Sequence, residues 1–163
     1  MKQQLFLFIS LSSFIIYCYV KANDTSPVVP VTIKLSKTEK VIGFANSFLN
    51  TPYRAGGTTK SGMDCSGLVQ TSFKEIDIKL PRSSAEMSDF GNAVSWKNIK
   101  PGDLLFFNIE RLEGNINHVG LVTEIAKPDI YFIHSTTKKG VITNSLQENY
   151  WATSFVKAKR VIN

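Results

Sequence analysis

The hydrophobic pattern of this chain changes period once, near Pro101-Gly102, and that change restricts the folds open to it. Before it, apolar residues recur at helical spacing. Val41, Phe44, Ala45, Phe48 and Leu49 form one such face, and Leu68, Val69, Phe73 and Ile76 form another behind Asp64. Ser36 with Glu39, and Ser83 with Glu86, have the spacing of capping boxes. Asn50-Thr51-Pro52 stops the first helix, and Gly91 ends a short third one. After Pro101-Gly102 the apolar runs are short and strand-like: 104–109, 119–125, 130–134, 141–143 and 155–162. Helices first and strands later predict an α+β fold. The N-terminal helices pack on one side of a central antiparallel sheet of about five to six strands.

The first residues have a different texture. MKQQLFLFISLSSFIIYCYVKA holds Lys2, an apolar run over 5–20, and then Val20-Lys21-Ala22. That is the layout of a cleaved export signal. The run is shorter than the about 20 residues of a comfortable span. The expected organisation is a signal peptide over 1–22, a linker over 23–35 carrying Pro27 and Pro30, and one domain over 36–163. An uncleaved anchor is the main rival. Lipoprotein processing at Cys18 is another, and the bulky Tyr17 before it speaks against it. The mature protein is thus expected in the periplasm, the envelope or the medium, as a monomer without a membrane span. Loss of Lys2 and Lys21 with the signal peptide lowers the formal charge from +6 to +4, and a modest positive charge suits an anionic polymer such as cell wall. No lysine or arginine block of the kind that tracks nucleic acid is present, so no nucleic-acid partner is expected.

Of the two cysteines, Cys65 is the one that export would leave in the mature chain. A lone thiol outside the cytoplasm is oxidisable, so it is either buried or used. Asp64 is a good N-cap, which puts Cys65 in the first turn of a helix, where backbone N–H groups favour negative charge. A free thiol has a pKa of about 8.5, and a helix N-terminus with a nearby imidazolium lowers it. Gly67 keeps that turn bare for an approaching chain. The competing reading is an inert buried cysteine.

The chain has only two histidines, His118 and His134, in neighbouring strand candidates. A hairpin centred on Ala126 sets the two imidazoles opposite or nearly so, on one face. A base whose second nitrogen is held by a third group then becomes available to the thiol. The same residues could instead ligate zinc, but no CxxC or HxxxH spacing supports a metal, and no cofactor is expected.

Several fragments in order carry a resemblance. They are Thr51-Pro52-Tyr53-Arg54-Ala55-Gly56-Gly57, Asp64-Cys65-Ser66-Gly67-Leu68-Val69 and Leu80-Pro81-Arg82-Ser83-Ser84. Pro101-Gly102-Asp103-Leu104-Leu105-Phe106-Phe107, His118-Val119-Gly120, His134 and Arg160-Val161 follow. In this order the chain resembles the NlpC family of cell-wall cysteine peptidases, a bacterial branch of the papain-like fold. The resemblance implies Cys65 as nucleophile, His118 as general base and His134 as the polar group that orients it. Tyr53 is implied beside the site, supporting the oxyanion. Asp64, Ser66 and Ser84 are implied where a peptide's amino end is held. Arg82, and Arg54 in the Tyr53 loop, could meet a substrate carboxylate, or else tie their loops to the protein. The implied reaction is hydrolysis of the bond between γ-D-glutamate and a diamino acid in peptidoglycan stem peptides. Ala55 departs from the family's usual tryptophan, and Met87 falls near a frequent glutamine; both bear on the groove. The alternatives are an amidase, an acyltransferase or an antibacterial toxin of the same fold, and a non-catalytic wall-binding domain.

Overall fold

The computed structural model describes residues 34–162. The signal peptide expected over 1–22, with Cys18, and the expected linker before Lys34 lie outside the described residues. The compact unit begins at Ser36. Its Oγ accepts from the Glu39 amide at 3.2 Å, while a Glu39 carboxylate oxygen accepts from the Ser36 amide at 2.7 Å. These paired bonds satisfy donors that a helix start leaves open. They begin helix α1 (Lys37–Asn46), which buries Val41 and Ala45. Leu49, expected on the same face, is 43% exposed. The helix has ended by then, and Asn50 turns the chain with a φ of 66°.

Two very short strands follow, β1 (Thr58–Thr59) and β2 (Gly62–Met63), which the sequence pattern does not announce. Helix α2 (Cys65–Lys74) starts on the Asp64 cap, and α3 (Ser84–Met87) starts on the Ser83–Glu86 capping box. Then come β3 (Asn92–Val94) and a 3₁₀ turn over Trp96–Asn98. The remaining elements are β4 (Leu104–Phe107), β5 (His118–Ala126), β6 (Asp129–Thr136), β7 (Gly140–Ser145), α4 (Asn149–Ser154) and β8 (Phe155–Arg160).

The main sheet has six strands in the order β3-β8-β4-β5-β6-β7, antiparallel throughout. The chain's last strand thus lies inside the sheet. Strand β3 has no strand pattern of its own, being three mostly exposed residues held by β8. Helices do not cover one side alone. Leu104, Phe106, Val119, Leu121 and Ile133 pack with α1 and α2. Leu105, Phe107, Val122, Phe132 and Ala158 form a second core with Trp151 of α4 and Ile99. A strand buried on both faces reads as a continuous apolar run, which explains Leu104-Leu105-Phe106-Phe107. Met87 lies in the first core, fully buried, so it does not reach the groove.

The hairpin of β5 and β6 turns about Lys127-Pro128, with Ala126 paired to Asp129 and Glu124 to Tyr131. Left unbroken, that register would put His134 opposite Leu121, on the other face from His118. A bulge at Thr123 shifts it by one, so that Val122 pairs with Phe132 and Leu121 with Ile133. A one-residue shift exchanges the faces of a strand. His118 and His134 therefore share a face, as diagonal neighbours rather than the direct pair that a centre at Ala126 implies.

Candidate active site

Asp64 organises the start of α2. Its Oδ1 accepts from the Gly67 amide at 2.6 Å and from Ser66 Oγ at 3.2 Å. Its Oδ2 accepts from the Gly56 amide at 2.8 Å. Arg82 reaches across with Nη1 to Oδ1 at 3.0 Å and Nη2 to Oδ2. The same Nη1 donates to Ser66 Oγ at 2.7 Å. Burial acts to raise the Asp64 pKa, but the bonds from Arg82, Gly67 and Gly56 outweigh it and hold the carboxyl below its ordinary value. Arg82 thus ties its loop to the cap with both Nη atoms. Ser84 is buried at the start of α3, and its hydroxyl is not among the groups bonded to Asp64. Arg54 is exposed, with its side-chain stem over Gly62.

Gly67 does keep the first turn bare, but the protein's own backbone uses the space. A Cβ there would lie 2.2 Å from the Gly57 carbonyl oxygen. At Gly57 a Cβ would lie 2.3 Å from the Gly62 carbonyl oxygen. The glycines let the 54–57 loop close onto α2, which carries Tyr53 toward Cys65. Burial raises the Tyr53 pKa, and the nearby Cys65 and Asp64 charges add to it while Arg82 opposes them.

Cys65 is a free thiol, partly open at its surface. Its sulfur is surrounded by protein and lies by the Val119 amide, next to His118 in sequence. Burial pushes the thiol pKa up, the Val119 N–H opposes this, and the Asp64 charge adds to the rise. Burial thus acts on the thiol in the opposite direction to a helix start and an imidazolium, which lower it. Burial, then His134 and Arg111, push His118 well below its ordinary value.

The two imidazoles form a directed chain. His118 Nε2 lies 2.9 Å from His134 Nδ1, and His134 Nε2 lies 2.9 Å from Asn144 Oδ1. Asn144 Nδ2 donates to both oxygens of Glu148, at 2.8 and 3.0 Å. A carboxylate accepts only, so the Asn144 amide is oriented with its oxygen toward His134. That oxygen requires the proton on His134 Nε2, since burial holds His134 neutral with a pKa lowered to about 4. His134 Nδ1 is then an acceptor, and His118 Nε2 must carry a proton. The lone pair of His118 is left on Nδ1.

Trp151 covers this chain, stacked on His118 at 5.5 Å between ring centroids and edge-on to His134 at 4.5 Å. Asn144, Glu148 and Trp151 were not among the residues the sequence singled out. The turn between Thr136 and Gly140 could have found Asn144. His134 pairs with Ile142 there, so Asn144 follows on the same face. Among the described residues, no group of three or more His, Cys, Asp or Glu is arranged to hold a metal ion.

A thiol at a helix start, by the Val119 amide of a strand that also carries His118, on an antiparallel sheet, defines a papain-like α+β protein. A model of the NlpC/P60 family matches residues 50–160, and the chain belongs to that family. It is 40% identical over 112 residues to the murein DD-endopeptidase MepS/murein LD-carboxypeptidase of Escherichia coli strain K12, covering 68% of this chain and 56% of that protein. It is 38% identical over 128 residues to a gamma-DL-glutamyl hydrolase of Bacillus subtilis strain 168, covering 77% of this chain and 30% of the relative. The chain thus spans less than three fifths of either relative's length. The crystal structure of an NlpC/P60 family protein from Bacillus cereus superposes with a TM-score of 0.70 at 29% identity, over 81% of this chain and 42% of that one.

Proposed function

We propose that this chain is an exported peptidoglycan hydrolase, a cysteine endopeptidase that cuts stem peptides between γ-D-glutamate and the diamino acid. The observation that carries the reading is the directed chain Glu148–Asn144–His134–His118, which leaves the lone pair of His118 on Nδ1, on the strand whose next amide, Val119, lies by the Cys65 sulfur. In this mechanism Nδ1 takes the thiol proton as the substrate carbonyl arrives. The Cys65 sulfur attacks the carbonyl carbon. The Cys65 backbone N–H and the Tyr53 hydroxyl hold the oxyanion. The C–N bond breaks as His118 returns the proton to the leaving amine, giving a thioester. Water then attacks the thioester, His118 accepts its proton, and the acid and the Cys65 thiol are released. The imidazolium formed on the way donates through Nε2 to His134, whose own N–H rests on an amide oriented by a carboxylate. Asp64, Ser66 and Ser84 support the acyl side, with Arg82 holding Asp64 in place.

Digestion of purified peptidoglycan with the wild type and with Cys65→Ala, followed by mass spectrometry, tests the reading. New diamino-acid N-termini are expected from the wild type alone. Cuts at the D,D crosslink, the bond named for the E. coli relative, would move the substrate assignment without touching the chemistry. Full turnover by Cys65→Ser would end the cysteine-peptidase reading. His118→Ala is expected to remove nearly all turnover. His134→Asn or His134→Gln should retain more than His134→Ala, because each keeps a polar partner for His118. Asn144→Leu should lower kcat and alter its pH profile while leaving KM nearly unchanged. An unaltered profile would exclude the amide from setting the tautomer.

A further inference from the structure

Beyond the imidazole pair, on the side of α4, lies an open cleft of about 420 Å³. Its lining includes Arg111, Lys138, Lys139, Asn144, Glu148 and Trp151. We propose that this cleft is the subsite for the amine-side part of the substrate, and that it binds a free carboxylate on the amino acid that leaves through His118. The inference rests on the hydrolase reading for its orientation and on the cleft itself for its chemistry.

Position comes first. Trp151 lines the cleft and also stacks on the His118 ring. Asn144 lines it and also accepts from His134. The cleft therefore adjoins the imidazole that hands a proton to the leaving amine. Arg111 is near enough for its charge to help depress the His118 pKa, after burial and His134.

Charge comes second. Arg111, Lys138 and Lys139 are exposed, and none makes an ion pair with another described residue. The one acid in the lining, Glu148, is already used by the Asn144 amide and the Ser145 backbone N–H. On the other side of the site, Arg82 and Asp64 neutralise each other. The acyl side is thus polar with its charges paired, while the amine side presents cations without partners. An anionic leaving residue matches that asymmetry, and a neutral amide in the same place does not.

Exposed cation–carboxylate pairs are individually weak, but a few acting together give about a tenfold preference. The probes are meso-diaminopimelate and its bis-amide, titrated into 15N-labelled Cys65→Ala protein. The readout is the indole N–H signal of Trp151. The expected result is a shift of that signal by the acid, with a Kd about tenfold lower than that of the amide. Lys138→Ala with Lys139→Ala should erase most of the difference. Lys97→Glu, a charge change in the 3₁₀ turn and outside the lining of the cleft, should leave it intact. A Trp151 signal that does not move, or equal Kd values for acid and amide, overturns the subsite. In wild type, kcat/KM for stem peptides with a free or amidated leaving residue gives the second readout. Hydrolysis of both at equal rates also overturns the subsite and leaves the hydrolase reading standing. Acid-selective binding without any hydrolysis supports the cleft as a carboxylate site and removes the hydrolase reading instead.

Discussion

Arg82 and Arg160 each close a two-pronged hydrogen bond on an aspartate, Asp64 and Asp103 respectively. Their surroundings differ. Asp103 is 1% exposed and also accepts from the Lys100 amide, while Arg160 gives a further bond to the Asn98 carbonyl. That fork ties the end of β8 to the turn before β4, well inside the fold. Asp64 is 13% exposed, under an arginine 40% exposed, and it also caps the helix that carries Cys65. The same pairing fastens two strands in one place and balances charge beside a thiol in the other. What a fork does follows from what else its carboxylate holds and how much water reaches it.

The deeper fork should show the larger effect on stability. Arg160→Met leaves a buried carboxylate without its cation, and such losses cost about 3 kcal/mol or more. Urea melts should show that loss, with kcat/KM of the folded protein within about twofold of wild type when the site is undisturbed. An equal loss in Arg82→Met would erase the distinction between the two forks.

Acid separates the fork at Asp64 from the imidazoles. His134 titrates at about 4 in the folded protein, and His118 also lies well below its ordinary value. In the unfolded chain both titrate near 6.5. As pH falls from about 6.5 to about 4, the unfolded chain binds protons that the folded one refuses, so stability falls by a few kcal/mol. The contribution of Asp64 behaves differently in range. Its depressed pKa stabilises the fold above about 4 and that share is lost only as pH falls through the folded value. Melts from neutral to acid pH should show the upper loss flattened in His134→Asn and the lower one flattened in Arg82→Met. If His134→Asn keeps the full upper loss, the neutral buried imidazole is the wrong picture.

Arg82→Met should disturb chemistry more than folding. An ion pair this exposed contributes about 1 kcal/mol or less. Its removal leaves Asp64 unbalanced one residue from Cys65, and that charge already adds to the rise of the thiol pKa. Alkylation of Cys65 should therefore need higher pH, and kcat/KM should drop about tenfold, roughly one pKa unit of thiolate availability. An unchanged alkylation profile would show that Arg82 serves its loop alone.

How far the sequence reveals these features depends on the range of the interactions behind them. The caps at Ser36, Asp64 and Ser83 are legible because both partners lie within three residues. Cys65 at a helix start follows from the Asp64 cap. The shared face of the histidines is legible, but the reason is not. It depends on the bulge at Thr123, and a threonine in a strand gives no sign of one. The second core is hidden too, since Trp151 becomes its cover only when α4 folds back over Phe107 and Phe132. Both arginine forks span long stretches of sequence, so the choice of partner for Arg82 is made by the fold. Met87 shows the converse. A family position suggests a groove residue, and the capping box at Ser83 turns it into the core instead.

The smallest effect belongs to Ala55, at the edge of the Asp64 fork. It is exposed in the turn closed by the Gly57 amide on the Arg54 carbonyl at 2.9 Å. The next amide, Gly56, holds Asp64 Oδ2 at 2.8 Å. A large side chain at Ala55 meets solvent rather than core, so Ala55→Trp should change stability by less than about 0.5 kcal/mol. The family resemblance implies a tryptophan there, and a bulky ring next to Gly56 in the Tyr53 loop would narrow the approach to Cys65. With alanine the expected approach is wider, and the enzyme should then accept bulky or crosslinked stems. Kinetics on linear and crosslinked muropeptides should show Ala55→Trp shifting the preference toward the linear stem by a few-fold, mainly through KM. The Asp64 network needs no side chain from position 55, so the rate on the linear stem should hold. A ratio between the two substrates that Ala55→Trp leaves unchanged would mean that the open wall plays no part in selection, and that the wall of this groove is set elsewhere.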